Sequence, residues 1–120
     1  MEIKLSRKSD EGYERFELLG DITANGWAQH TVDPFVGQYG EDVYTKLVML
    51  DMSKTLHVDS TGIEWLLTCQ KRFHKQGGSL VLHSLTPSTQ RLFHMMRMHL
   101  VLRIAPNESS AKTLLAKDPA

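Results

Sequence analysis

A short apolar run in the middle of the chain constrains the fold more than any other stretch. In the run Leu47-Val48-Met49-Leu50-Asp51, every residue except the last is apolar. Apolar side chains on both faces are typical of a strand buried on both faces. After a polar loop, apolar residues recur at the spacing of one helix face. They are Ile63, Leu66, Leu67 and Phe73. The pattern predicts a strand, a loop and an amphipathic helix.

The polar loop ends in Asp59-Ser60-Thr61-Gly62, where the helix has to begin. We interpret Thr61 to Glu64 as a capping box, in which the Thr61 hydroxyl accepts from the Glu64 amide and the Glu64 carboxylate accepts from the Thr61 amide. Ser60 is then expected just outside the first turn, at the surface, with its hydroxyl free. The plain alternative is that Ser60 and Thr61 only cap the helix.

A hydroxyl at this position suits a phosphorylation switch. Unpaired amides and the positive end of the helix dipole favour an anion there, while Asp59 and Glu64 oppose it. A phosphate on Ser60 adds about −1.5 to −2 charges at neutral pH. We expect the fold to tolerate that group and the surface potential to change strongly.

The N-terminal half predicts an antiparallel hairpin. Glu2–Ser6 and Tyr13–Leu19 alternate between apolar and polar residues and are joined by a turn that contains Gly12, so the hairpin is expected to be covered on one face only. Residues 21–42 are less regular, although Asp33-Pro34 predicts the start of a short helix. Trp27 either covers the sheet or anchors a partner.

The C-terminal half alternates helices and strands. The helix after Ser60 is expected to end at Gly77-Gly78, and Ser79–His83 predicts a second buried strand. Thr86-Pro87 predicts the start of another helix, with Leu92, Phe93, Met95 and Met96 as its apolar residues. The last strand is predicted at residues 100–104 and a short final helix through Ala111, Leu114 and Leu115.

Composition narrows the classes of function. The 120 residues form a single domain, residues 1–120, and 14 basic and 14 acidic side chains cancel to a formal net charge of zero, so charge favours neither a nucleic-acid partner nor insertion into a membrane. The lone Cys69 is interpreted as a small buried hydrophobe. Without a signal peptide or a spanning segment, the chain is expected in the cytoplasm.

Side chains that could carry catalysis or bind a cofactor are poorly placed for either. His94 and His99 are five residues apart and are not expected on one helix face, and no His-Glu-x-x-His spacing occurs. His57, Asp59 and Ser60 are too close in sequence to form a catalytic triad. We therefore expect no enzyme, no metal and no cofactor.

Several of these stretches resemble the STAS family, which is named for sulphate transporters and anti-sigma factor antagonists. The resemblance covers roughly residues 45–105, through Leu50-Asp51-Met52-Ser53, Val58-Asp59-Ser60-Thr61-Gly62-Ile63 and Lys75-Gln76-Gly77-Gly78, and continues to Pro87 and Arg91-Leu92-Phe93. It implies a mixed α/β fold. Its sheet has about five strands, with an antiparallel N-terminal hairpin and a parallel remainder, and carries about four helices.

The resemblance also implies roles for particular residues. Ser60 corresponds to the serine that a partner kinase phosphorylates in bacterial anti-sigma factor antagonists. The residues expected to contact a partner are Asp21, Thr23, Asp59, Ser60, Thr61, Gly62 and Glu64. Thr23 stands where some antagonists carry an aspartate, and Arg97 stands where the family commonly has glycine, so we expect an altered corner there.

Three functions follow from these expectations. The first is a non-enzymatic anti-sigma factor antagonist that is switched by phosphorylation at Ser60. Its partners would be an anti-sigma factor or a serine protein kinase, together with a cognate phosphatase. The second is an unswitched STAS scaffold or an accessory subunit of a signalling or membrane transporter complex. The third is a small phosphate- or nucleotide-binding protein that uses the helix end beside Ser60.

Overall fold

Five strands form one sheet in the order in which they occur along the chain. The computed structural model describes residues 2–10, 12–23 and 33–117, and of residues 2–10 the backbone alone. The strands are β1 (Glu2–Asp10), β2 (Tyr13–Leu19), β3 (Leu47–Asp51), β4 (Ser79–His83) and β5 (Ile104–Ala105). β1 is antiparallel to β2, and β2 to β5 are parallel to one another. The mixed α/β class predicted from the sequence is confirmed.

Within the described residues, four α-helices and two short 3-10 helices connect and cover these strands. The α-helices are α1 (Pro34–Tyr39), α2 (Ser60–Lys75), α3 (Pro87–Met95) and α4 (Glu108–Lys117), and the 3-10 helices are Glu41–Thr45 and Met98–Leu100. Among the described residues, no helix is both long and apolar enough to cross a bilayer.

The predicted helix ends have identifiable causes. The Asp33 side chain accepts from the Phe35 amide at 2.9 Å and caps α1, and the Thr86 hydroxyl accepts from the Thr89 amide at 3.3 Å and caps α3. At the end of α2, Gly77 adopts a φ of +90°, which favours glycine. The Gly78 amide then donates to the Phe73 carbonyl at 2.8 Å and completes the predicted left-handed cap.

The core lies on both faces of the sheet, because β3 and β4 are buried on both sides. Val48 and Leu50 of β3 pack with α2 and α3 in the larger cluster, whereas Met49 packs with Ala111 and Leu115 of α4 in the smaller one. The prediction of a doubly buried strand at Leu47–Asp51 is confirmed. β3 therefore fixes where the loop toward α2 leaves the sheet.

The expectation that β2 is covered on one face only is wrong. Glu14 and Arg15 are 5% and 6% exposed, respectively. The Arg15 Nε donates to Glu108 Oε1 at 2.9 Å, so the first turn of α4 supplies the partner that this guanidinium needs when it leaves water. Nothing in the sequence pattern indicated that the final helix would reach back to β2.

The corner after α3 also differs from the prediction. Residues 98–100 form a 3-10 helix and β5 comprises only Ile104–Ala105. Arg97 itself takes the left-handed conformation, with φ 58° and ψ 27°, although a non-glycine residue was expected to avoid it. The adjacent Met95 and Met96, two of the apolar residues noted in the predicted helix, are 76% and 43% exposed.

Aromatic packing under α2 gives a direct test of the core. Phe73 is fully buried, with its ring 5.5 Å from that of Phe35 and 4.7 Å from that of Tyr44. We expect Phe73→Ala to lower the free energy of unfolding by about 3–5 kcal/mol, because it leaves a cavity. Urea denaturation measures this loss. The matched Lys75→Ala change on the exposed side should stay within about 0.5 kcal/mol, and an equal loss there would contradict the packing argument.

Candidate functional site

Two loops lie side by side at the edge where β2 and β3 end. The Ile22 amide donates to the His57 carbonyl at 2.9 Å, and the Asp59 amide donates to the Ile22 carbonyl at 3.2 Å. Ile22 and Val58 therefore form an isolated parallel bridge. The Asp21 carboxylate adds a bond by accepting from the His57 amide at 3.1 Å. This pairing holds the segment before α2 in an extended conformation.

The helix α2 begins two residues earlier than the capping box would allow. Asp59 is the N-cap, and its carboxylate accepts from the Gly62 amide at 3.1 Å. Its carbonyl accepts the first helical bond from Ile63 at 3.0 Å. The prediction that Thr61 and Glu64 form the cap is wrong, because the bridge with Ile22 fixes Asp59 in an extended conformation and aspartate is a better cap than threonine.

Ser60 consequently lies inside the first turn, not outside it. It is the first residue of α2 and its side chain is exposed. Thr61 is half-buried and Glu64, one turn further along, is exposed. An exposed hydroxyl at the first helical position stands beside backbone amides that have no carbonyl partner within the helix, so the local field favours an anion on it.

Gly62 allows this helix end to lie against the neighbouring loop. A β-carbon built at Gly62 would stand 2.4 Å from the Ile22 carbonyl oxygen and 2.9 Å from the Ile22 Cβ. Real side chains do not tolerate such approaches to backbone. The glycine of the Asp-Ser-Thr-Gly sequence is therefore required by close contact between the start of α2 and the loop that contains Ile22.

A groove runs between the paired loops and α3, and Asp59, the residue before Ser60, lines it. We call it the Ser60 groove, and its volume is about 270 Å³. Its lining includes Thr23, Leu56, Val58, Asp59, Ser88 and Leu92. Leu56 is 58% exposed and was not singled out from the sequence, nor were Ser88 and Leu92. The only feature of the sequence that could have indicated this groove was Leu56, an apolar residue in a polar loop.

The structure thus brings together six of the seven residues predicted to contact a partner. Asp21 and Thr23 lie on one of the paired loops, Asp59 ends the other, and Ser60 to Gly62 form the start of α2 directly after it. Glu64 lies further along α2, on a concavity that it shares with Thr61, Trp65 and Thr68. Trp27, the other residue considered for partner binding, is outside the described residues.

Among the described residues, the titratable side chains form no cluster of metal ligands. In residues 2–10, 12–23 and 33–117, no three His, Cys, Asp or Glu side chains converge as metal ligands. His94 and His99, which were not expected on one helix face, do not share a helix. Their rings nevertheless stack with centroids 3.9 Å apart, because the turn at Arg97 folds the chain back. Burial raises the pKa of the Cys69 thiol, in agreement with its interpretation as a small hydrophobe.

Comparison with known proteins identifies the family. The family model of the STAS domain matches residues 5–111. The chain belongs to the STAS domain family.

Solved structures of similar fold are consistent with this assignment. A crystal structure of a Thermotoga maritima protein provisionally named an anti-sigma factor antagonist has a TM-score of 0.72 and 15% identity, over 91% of this chain and 92% of that one. An anti-sigma factor antagonist from Mycobacterium paratuberculosis has a TM-score of 0.66 and 18% identity, over 91% and 90%. At these identities the likeness establishes a shared fold.

The contact between Gly62 and Ile22 in this STAS domain can be tested by adding one methyl group. We expect Gly62→Ala to lower the free energy of unfolding by about 1–3 kcal/mol, because the new Cβ overlaps the Ile22 backbone. Gly37→Ala is the matched control, since Gly37 is also helical and a Cβ there would have nothing within 4 Å. Chemical denaturation should show Gly37→Ala to be neutral or stabilising, and equal losses in both variants would contradict the contact.

The identity of the helix cap in the STAS domain can be tested separately. Asp59→Ala should lower the free energy of unfolding by about 0.5–2 kcal/mol, because the Gly62 amide loses its acceptor. Asp59→Asn keeps an acceptor at this position and should therefore retain most of the wild-type stability. Thr61→Ala should have a smaller effect than Asp59→Ala. Thermal denaturation of the three variants distinguishes the two caps, and a larger loss at Thr61 would favour the capping box.

Proposed function

We propose that this STAS domain is a non-enzymatic protein-binding module that acts as an anti-sigma factor antagonist and is switched by phosphorylation of Ser60. Membership of the STAS family and the likeness to structures named as antagonists support the general class. The observation that carries the switch is the position of Ser60, exposed at the first residue of α2 and adjacent in sequence to Asp59, which lines the Ser60 groove.

Unmodified Ser60 presents a small neutral group to a partner. The surface around it combines hydroxyl groups with one exposed apolar side chain, Leu56, and Thr23 lies on the same groove. A large apolar side chain surrounded by polar groups is the usual composition of a protein-binding patch. We infer that an anti-sigma factor or a serine protein kinase docks across Ser60 and Leu56.

Phosphorylation would change this surface without unfolding the helix. The amides in the first turn and the helix dipole favour the phosphate. The nearby Asp59 carboxylate, which already accepts from the Gly62 amide, opposes it and leaves the site strongly negative. Docking would then require removal of water from a dianion, or a cation placed opposite it, so a partner selected for the neutral surface dissociates.

The same proposal places the chain in the cytoplasm with its kinase and with a phosphatase that restores the hydroxyl. Thr23 carries a hydroxyl where some antagonists of the family place an aspartate, so any partner contact at this position would be made without a negative charge. We therefore propose that the partner of this chain differs from those of better-known antagonists in the residue that faces Thr23.

The second candidate is an unswitched scaffold or accessory subunit of a signalling or membrane transporter complex. Two observations favour it: Thr23 lines the groove, and Arg97 occupies a left-handed turn where glycine is usual. In this case a partner would bind the domain irrespective of the modification of Ser60. The response to charge at Ser60 therefore separates the two functions.

The test combines modification and binding. The chain is incubated with ATP and the serine kinase of its source cell, and phosphopeptides are mapped by mass spectrometry, with Ser60→Ala as the blocked variant. Binding of the cognate anti-sigma factor is then measured by calorimetry for wild type and for Ser60→Asp. We expect modification at Ser60 and a loss of affinity of about tenfold or more in Ser60→Asp, because a desolvated charge without a partner costs more than about 1.4 kcal/mol.

Ser109→Asp is the matched control for added charge. Ser109 is also an exposed serine in the first turn of a helix, α4, and that helix packs on the opposite face of the sheet. Its affinity should equal that of wild type. Phosphorylation at another residue, or unchanged binding by Ser60→Asp, would exclude the switch and leave the scaffold.

A further inference from the structure

An exposed apolar corner follows α3, well separated in sequence from Ser60. Among the described residues, five large apolar side chains are exposed, and four of them lie here: Met95 (76%), Met96 (43%), Leu100 (69%) and Val101 (53%). We call these four residues the apolar corner. Scattered single apolar residues are normal on a protein surface, but a contiguous group indicates an interaction site.

The backbone at Arg97 creates this group. Its left-handed conformation ends α3 and turns the chain directly into the 3-10 helix Met98–Leu100. The Leu100 amide donates to the Arg97 carbonyl at 3.2 Å, and the Leu102 amide donates to the Met98 carbonyl at 2.8 Å. Leu102 then enters the core at 3% exposure. The compact turn therefore leaves Leu100 and Val101 exposed to solvent, while it buries the next residue, Leu102.

A groove of about 270 Å³ is lined by His94 and His99, which directly precede Met95 and Leu100 of the apolar corner in the chain. Its floor is apolar and includes Leu85, Phe93 and Ile104, and the rings of His94 and His99 stand at its rim. A concavity of this size admits a large apolar side chain, and the rim supplies polar groups that orient it. We call this concavity the corner groove.

The charged side chains along this part of the sequence have one sign. The sequence contains no Asp or Glu from Trp65 to Asn107, whereas Arg91 and Arg97 lie in or next to α3 and are exposed. The next carboxylate along the chain, Glu108, is already paired with Arg15 on the other face of the sheet. The zero net charge of the chain therefore conceals a basic surface in its C-terminal half.

We propose that the apolar corner and the corner groove bind an acidic amphipathic helix of a partner protein, with one large apolar side chain of that helix in the groove. Apolar anchors surrounded by one sign of charge are the usual arrangement for helix-in-groove recognition, and complementary charge sets the orientation. A bilayer is the less favoured occupant, because a lipid surface takes up protruding side chains but has nothing to fill a concavity.

The probe is a fluorescein-labelled helical peptide with Leu and Phe on one face and Glu on the other. Its anisotropy is compared with that of a peptide in which every Glu is replaced by Lys. We expect the Glu peptide to bind in low salt and to weaken as salt rises, and the Lys peptide to bind at least tenfold more weakly. Equal binding of the two peptides would overturn the proposal.

Variants locate the site on the protein. Leu100→Ser and Arg91→Glu should each weaken the Glu peptide by about tenfold, as should Arg97→Asn, which removes the charge but keeps a residue that tolerates the left-handed turn. Lys71→Glu is the matched control, since Lys71 is exposed on α2, and it should leave binding unchanged. Circular dichroism verifies that each variant is folded. Equal weakening by the control would mean non-specific charge attraction and would overturn the proposal.

Other occupants and the Ser60 switch are separated by three further measurements. In the first, the protein is floated with vesicles of phosphatidylcholine and phosphatidylglycerol. Capture that depends on Leu100, in the absence of peptide binding, would mean that a membrane and not a partner helix occupies the apolar corner. In the second, sedimentation measures the oligomeric state. Dimers that are lost in Leu100→Ser would mean that a second copy of the chain occupies the apolar corner. Ser60→Asp should leave peptide binding unchanged, and a loss there would show that the peptide occupies the Ser60 groove instead.

Discussion

The close contact between Gly62 and Ile22 is the constraint on which the candidate site depends. β2 and β3 are parallel neighbours, so their following loops leave the sheet at the same edge, where α/β folds bind their ligands. The Ile22–Val58 bridge joins those loops, and the absence of a Cβ at Gly62 lets the end of α2 meet the bridge. Any larger residue would overlap Ile22 and separate the start of α2 from the bridge. The position of Ser60 is thus set by backbone contacts that do not involve its own side chain.

This geometry also explains how one residue could carry a switch at little structural cost. Asp59 caps α2 by binding the Gly62 amide, so the helix start does not depend on the Ser60 hydroxyl. A group added to Ser60 leaves the cap intact and acts only through its charge and size. If Ser60 were the cap, as the sequence alternative allowed, its modification would break the helix start, and the change in binding would be accompanied by a loss of stability.

Local patterns were sufficient to predict the central strands and helix starts, and insufficient where distant segments meet. Leu47–Asp51 and Ser79–His83 were recognisable because both faces of each strand are apolar, and Thr86-Pro87 because capping is local. Local patterns could not show that Asp59 and not Thr61 caps α2, since hydrogen bonds to Ile22 at the sheet edge decide the cap. Burial of Arg15 likewise depends on Glu108, and exposure of Met95 depends on the turn at Arg97.

The two candidate surfaces share α3 as a common wall, and its packing decides whether they communicate. Leu92 lines the Ser60 groove and the adjacent Phe93 lines the corner groove. The nine residues of α3 span about 13 Å. Coupling would require α3 to shift as a unit, yet Phe93 is buried in the main core and the Thr89 hydroxyl donates to the Thr55 carbonyl at 3.4 Å. A close-packed core resists small continuous displacements. The helix therefore acts as a fixed partition, and under the two proposals a partner at the apolar corner would stay bound irrespective of phosphorylation at Ser60.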